Sequence, residues 1–116
     1  MTYFKESEFN CSCCGENKMD DYFLHRLDMA REKAGVAFLV ESGYRCEKRN
    51  KMVGGSLTSS HLNGHAVDIV VKGSRERMKI VEGLLSVGFN RIGIGKTFIH
   101  VDDDPAKDID VIWVYS

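Results

Sequence analysis

The sequence predicts an α+β domain built from a small, mostly antiparallel sheet and two main helices. Three observations carry this reading. At 116 residues the chain has room for one domain, since domains run to roughly 100–200 residues. Two segments place apolar residues at helical spacing between a capping residue and a glycine. Short apolar runs rich in β-branched and aromatic residues stand around them, and the last three fall together at the C-terminal end instead of alternating with helices.

Residues 1–19 read as irregular and hold Cys11, Cys13 and Cys14. The first helix follows, with Asp20 or Asp21 as N-cap, Phe23, Leu27, Ala30 and Ala34 on one face, and Gly35 at its end. Val36–Val40 reads as a short buried strand that stops at Ser42-Gly43. The stretch 44–64 is polar, with Gly54-Gly55 and Thr58-Ser59-Ser60, and reads as a loop with one helical turn around Glu47–Lys51. A loop of this length in a compact domain is usually functional. His65–Val71 is the next strand. Ser74 caps a second helix, with Ile80, Val81, Leu84 and Leu85 as its apolar stripe and Gly88 as its stop. Arg91–Gly95 and Thr97–Asp102 are strands joined by a turn at Gly95-Lys96, and Asp110–Tyr115 is the last strand.

Composition narrows the function. Hydrophobic residues make up 43% and charged residues 28%, so a core can form without disulfide or metal staples. Lys and Arg number 16 and Asp and Glu 17, for a net charge of −1. That balance argues against a general phosphate-binding surface, which needs a basic face, and gives no reason to expect an anionic membrane as partner. No apolar run approaches the ~18–20 residues of a membrane helix. The N-terminus lacks the charged start and apolar stretch of a secretory signal, so the expectation is synthesis in a cytoplasm.

Two of the four histidines stand near acids at useful spacings. His61 opens the segment His-Leu-Asn-Gly-His-Ala-Val-Asp68, with Gly64 allowing a turn before the strand. Asp68 shares a strand face with Ala66 and Val70, by period-two alternation. A carboxylate on the apolar face of such a strand is costly unless paired or bound to a cation. His100 lies on another strand and shares its face with Phe98 and Asp102. Two imidazoles and a carboxylate suit Zn²⁺ in a catalytic site with a position left for water, whose pKa the cation would lower. A buried His–Asp hydrogen bond without metal is the other account that the spacing leaves open. His25 reads as an ordinary helix residue, and His65 alternates away from Ala66 and Asp68.

The segment Ser59-Ser-His61-Leu-Asn-Gly64-His-Ala66-Val-Asp68 resembles the S-x-H-x-x-G-x-A-x-D motif of the zinc D-Ala-D-Ala peptidase family. Ser42-Gly43-Tyr44-Arg45, followed by Asn50, resembles its S-G-[YF]-R segment. Gly88-Phe89, Ile94-Gly95 and Phe98-Ile-His100-Val-Asp102 resemble its second ligand motif, and Trp113 and Tyr115 end the chain as in its short branch. The resemblance spans about residues 20–116. It implies a fold shared with the hedgehog signalling domain, with residues 1–116 as a single zinc peptidase domain. It implies one zinc on His61, Asp68 and His100, with Arg45 and Ser59 binding substrate. The implied activity is hydrolysis of amide bonds in peptidoglycan stem peptides, by a D-Ala-D-Ala carboxypeptidase or an L-Ala-D-Glu-type endopeptidase. The implied partner is a peptide substrate, with no nucleic acid or membrane and a monomeric chain. A phage lysis system or a virion would then bring the enzyme to the wall, and a cytoplasmic dipeptidase is the other setting that fits.

One departure concerns the general base. Many members carry an acid a few residues before the second histidine, whereas none of Asn90–Ile99 is acidic. Asp102 is the provisional proton shuttle, with a role in binding the substrate amine or orienting a ligand equally open; Glu47 and Glu8 are the alternative acids. Two other function classes stay in view. One is a zinc-binding domain of the same fold without catalysis. The other is a 2-His-1-carboxylate iron enzyme, whose H-x-D is matched by His100-Val-Asp102 but whose distal histidine has no counterpart downstream. The run C-x-C-C does not match the paired C-x₂₋₄-C of structural zinc. With Cys46 it leaves free thiols, a second zinc site and a disulfide as accounts. Asp103 and Asp104 read as a solvated turn.

Overall fold

The computed structural model describes residues 1–115, so Ser116 of the expected domain lies outside the described residues. A 3₁₀ turn, Glu6–Phe9, leads into helix α1, Asp21–Ala34. Strand β1, Val40–Ser42, and a short helix α2, Glu47–Met52, precede β2, Ala66–Val70. Helix α3, Ser74–Ser86, is followed by β3, Arg91–Ile94, β4, Phe98–Asp102, and β5, Val111–Val114. The class is α+β, with a five-stranded sheet in the order β1-β2-β4-β3-β5. Every neighbouring pair is antiparallel except β3 and β5. No helix among the described residues is long and apolar enough to cross a membrane.

The helix signals translate directly. The Asp20 carboxylate accepts from the Phe23 backbone N–H at 2.9 Å, and Gly35 closes α1 in the left-handed conformation. Phe23, Leu24, Leu27 and Ala30 are buried. The second helix differs in its start and its stripe. Ser74 is its first residue, not its cap; Gly73 holds that position, without a side-chain bond. The buried face of α3 is Ile80, Gly83 and Leu84, while Leu85 is 55% exposed. A Cβ at Gly83 would lie 2.5 Å from the Ala30 carbonyl oxygen, so this residue sets how closely α1 and α3 approach.

The first strand also departs from its expected span. Phe38 turns into the core beside Phe4, with ring centroids 6.4 Å apart, and pairing with β2 begins only where Val40 meets Ile69. The apolar run 36–40 therefore records core packing more than strand pairing. Nor is the segment before α1 a mere appendage: Phe4 and Phe9 are core residues.

The sheet has two unlike faces. Val67 and Ile69 of β2, Ile99 and Val101 of β4, and Ile92 of β3 join Phe23, Leu27, Ile80 and Leu84 in one core. The alternate residues face the other way. Asp68 thus lies opposite the apolar face, not on it as the strand pattern suggested, because Val67 and Ile69 take the helix side. Gly64 fixes the entry to β2. It has φ +78°, and a Cβ there would lie 1.9 Å from the Lys18 carbonyl oxygen. Left-handed backbone costs an L-residue about 1–2 kcal/mol, and the contact with backbone leaves no side chain to move aside. Gly64→Ala is expected to destabilise by more than this figure, read as a lower denaturant midpoint with unchanged slope; an unaltered midpoint would contradict the contact.

Candidate metal centre

The β2–β4 register builds the site. Asp68 pairs with His100, and Ala66 with Asp102. The row continues to Ser42 on β1, Gly93 on β3 and Trp113 on β5. Asp68, His100 and Trp113 of this row, with Asp102, line a cleft of about 350 Å³ that is also lined by Arg45, Ser59 and His61. The structure thus brings all six residues singled out from the sequence to one place. Gly93 has a steric reason: a Cβ there would lie 2.7 Å from the Trp113 indole nitrogen. With hydrogen instead, the indole lies against the His100 ring, centroids 5.6 Å apart.

Three donor atoms converge. Asp68 Oδ1 is 2.9 Å from His100 Nδ1 and 3.3 Å from His61 Nε2. His61, Asp68 and His100 are all buried. The remaining ring nitrogens are already engaged. His61 Nδ1 is 2.8 Å from the Gly43 carbonyl oxygen, an acceptor, so it carries the proton. His100 Nε2 is 2.7 Å from Asp102 Oδ2. Each imidazole therefore turns one nitrogen toward Asp68 while a fixed acceptor holds the other, the arrangement that orients histidine ligands in zinc sites.

The charges support one another. Burial alone would push Asp68 up, but hydrogen bonds and charge from His100 and His61 hold its carboxyl well below the usual carboxylate range. Burial disfavours the His100 imidazolium, yet its bonds to Asp102 and Asp68 raise its pKa. Asp102 is likewise desolvated, and His100 and Arg91 lower it. Arg45 donates from Nη2 to Asp68 Oδ2 at 3.3 Å and from Nε to Ser42 Oγ at 3.0 Å. Ser59 Oγ accepts from the His61 backbone N–H at 3.3 Å.

Asp102, the provisional proton shuttle, lines the cleft with both carboxylate oxygens engaged. It is 1% exposed. Its Oδ2 faces His100, and its Oδ1 accepts from Arg91 Nε at 2.6 Å and from the Asp104 N–H at 3.2 Å. Of the alternative acids, Glu47 lines a neighbouring depression and Glu8 accepts from the Lys5 N–H in the 3₁₀ turn. Sequence reasoning missed Arg91, although an arginine opening a strand with a buried face needs a partner there. His25 is exposed, as expected, and His65 lies outside the centre, 2.6 Å from Asp103 Oδ1.

Two buried imidazoles and a buried carboxylate converging on an open cleft form the ligand pattern of a catalytic mononuclear zinc site. A family model for peptidase M15 matches residues 2–102. The chain belongs to that family, the zinc D-Ala-D-Ala peptidases, and is a metallopeptidase with a peptide substrate. No curated protein sequence matches it. The donor set fits the family's metal, since all three ligand atoms and both orienting acceptors are in place.

Asp104 corrects the reading of residues 103–104 as a solvated turn. It is 4% exposed, and its carboxylate accepts from Ser60 Oγ at 2.7 Å and from the Ala106 N–H at 3.0 Å, with Lys107 Nζ 3.6 Å away. Burial raises its pKa, but these groups outweigh it and the pKa is lowered. A group depressed in the folded state stabilises above its unfolded pKa, about 4, and loses that contribution as pH falls through its folded value. Asp104→Ala is expected to cost ~1.5–3 kcal/mol at pH 7, with the difference from wild type shrinking below about pH 4. Thermal unfolding at both pH values checks this, and a pH-independent difference would assign the loss to packing.

Proposed function

We propose that the protein hydrolyses amide bonds in peptidoglycan stem peptides, with one zinc held by His61 Nε2, Asp68 Oδ1 and His100 Nδ1. The observation that carries this reading is the convergence of those atoms on the open side of the sheet, inside a cleft that also holds Arg45. Zinc there supplies Lewis acidity, which lowers the pKa of a water and polarises a carbonyl.

The chain's own residues do the rest. The Gly43 carbonyl keeps the His61 proton on Nδ1, and Asp102 holds the His100 proton on Nε2, so each ring presents its lone pair to the cleft. Asp102 is a positioning residue on this reading, clamped between His100 and Arg91. The Arg45 guanidinium is oriented by Asp68 and Ser42 and is available to a substrate carboxylate. Stem peptides ending in a free D-amino acid carboxylate match it. Ser59, at the cleft edge, binds the substrate near that carboxylate. Trp113, Tyr115 and Phe98 form an aromatic wall, with Phe98 and Tyr115 centroids 5.0 Å apart. Among the described residues, the carboxylates lining this cleft are Asp68 and Asp102.

Two measurements test the reading. On purified peptidoglycan and on D-Ala-D-Ala, the zinc-loaded enzyme is expected to release new amino termini, and His61→Ala and His100→Ala are expected to release none. A wild type inactive on every wall peptide while retaining zinc at this centre would favour the non-catalytic reading. Asp102→Asn is expected to weaken zinc binding at this centre about 10–100-fold in competition with a chelator. Unchanged zinc affinity with turnover reduced ~10²–10⁴-fold would instead make Asp102 the proton shuttle.

A further inference from the structure

The cysteines lie outside the cleft, and the fold gathers them. Cys11 and Cys14 stand in C-x-x-C spacing and are followed by Gly15, a pattern hidden by the intervening Cys13. The chain reverses tightly there: the Gly15 N–H donates to the Cys11 carbonyl oxygen at 2.9 Å, and Gly15 takes φ +76°, a conformation suited to glycine. Cys46, 35 residues after Cys11, completes the group, with Cys11 Sγ and Cys46 Sγ 3.6 Å apart. The sulfurs of Cys11, Cys14 and Cys46 all lie within 4.8 Å of one another.

We propose that Cys11, Cys14 and Cys46 bind a second zinc ion as thiolates, forming a structural site that ties the N-terminal segment to the loop carrying Arg45. This inference is independent of the peptidase reading. Zn–S bonds of about 2.3 Å in a tetrahedron place sulfurs about 3.8 Å apart, close to the 3.6 Å between Cys11 and Cys46. A disulfide would need about 2.05 Å. Backbone N–H groups are also aimed at the sulfurs: Cys46 N–H at Cys11 Sγ and Arg49 N–H at Cys46 Sγ, both 3.4 Å. Such donors stabilise thiolate, the form that binds metal. Burial raises the Cys11 thiol pKa, yet the backbone N–H groups of Cys46, Cys14 and Cys13 outweigh it and bring it to about 6. Three thiolates this close would repel one another, and a cation between them would relieve that repulsion. The sulfurs of Cys11, Cys14 and Cys46 supply three of the four positions of a zinc tetrahedron.

The site sits where a tether has consequences. Cys46 follows Arg45 directly, and the Tyr44 N–H donates to the Phe9 carbonyl oxygen at 2.9 Å. Metal on these thiols would lock both strands of that contact.

The experiment is metal content with zinc X-ray absorption on three full-length proteins expressed with zinc. Wild type is expected to hold two zinc ions per chain. His61→Ala/His100→Ala is expected to keep one, in a sulfur shell at about 2.3 Å, distinct from the 2.0–2.1 Å of nitrogen ligands. Cys11→Ser/Cys14→Ser is expected to lose that shell and keep one zinc on nitrogen and oxygen. The histidine variant decides the matter alone if the cysteine variant fails to fold. A histidine variant without zinc, a wild type with no sulfur shell, or a Cys11–Cys46 disulfide in the zinc-loaded wild type by intact mass would each overturn the proposal. Loss of wall hydrolysis with the sulfur-bound zinc retained would count against the peptidase reading and leave this one standing.

Discussion

The pairing of Asp68 with His100 across β2 and β4 is the constraint on which the site depends. Side chains alternate with period two, so a one-residue slip would send both groups to the helix-facing side. Val67, Ile69, Ile99 and Val101 prevent that slip, because all four are fully or nearly fully buried in the core. The apolar face therefore sets the register, and the register delivers the carboxylate and imidazole to each other. The same row reaches Gly93, whose missing side chain admits the Trp113 indole beside His100.

The cost of this arrangement is a set of buried charges, and the structure meets it by pairing. Two carboxylates share the His100 ring, one at each nitrogen. Arg91 balances Asp102 and Arg45 balances Asp68. An isolated buried carboxylate would take up a proton or cost several kcal/mol. Here neither needs to, because each faces a cation or a proton donor on every engaged oxygen. A divalent cation among His61, Asp68 and His100 would displace the shared proton between Asp68 and His100 and leave the outer bonds to Gly43 and Asp102 intact. Proton and metal thus compete for the same inward atoms, while the outer bonds keep the rings pre-set for either.

What the sequence made legible follows physical range. The first helix, β2 and β4 announce themselves through local spacing, and alternation along β4 puts Phe98, His100 and Asp102 on one face without any tertiary knowledge. His61, Asp68 and His100 could be grouped because two strands and a turn residue each carry a local signal, but only the resemblance to a peptidase motif favoured a metal over a buried His–Asp hydrogen bond. Other features depend on contacts far apart in the chain. Asp104 looks like part of an acidic turn until Ser60, 44 residues earlier, donates to it. The run 36–40 looks like a strand until Phe38 is seen packing against Phe4. Asp102 could be placed near the centre by counting, but its partner Arg91 across the sheet decides which way its oxygens point.

Residues 1–19 show how far such long-range support extends. A Cβ on Gly43 would lie 2.7 Å from the Phe9 carbonyl oxygen, so the N-terminal segment presses directly on the backbone at Gly43. That same residue offers its carbonyl to His61 Nδ1. Phe9 is itself held by burial and by its ring contact with Phe4, centroids 5.1 Å apart. The path from the N-terminal aromatic pair to Nδ1 of His61 thus runs through one backbone contact and one hydrogen bond. An imidazole whose proton is fixed on Nδ1 has its lone pair fixed on Nε2. The segment that sequence reading left as irregular therefore helps choose the tautomer of His61, by setting where a single carbonyl oxygen sits.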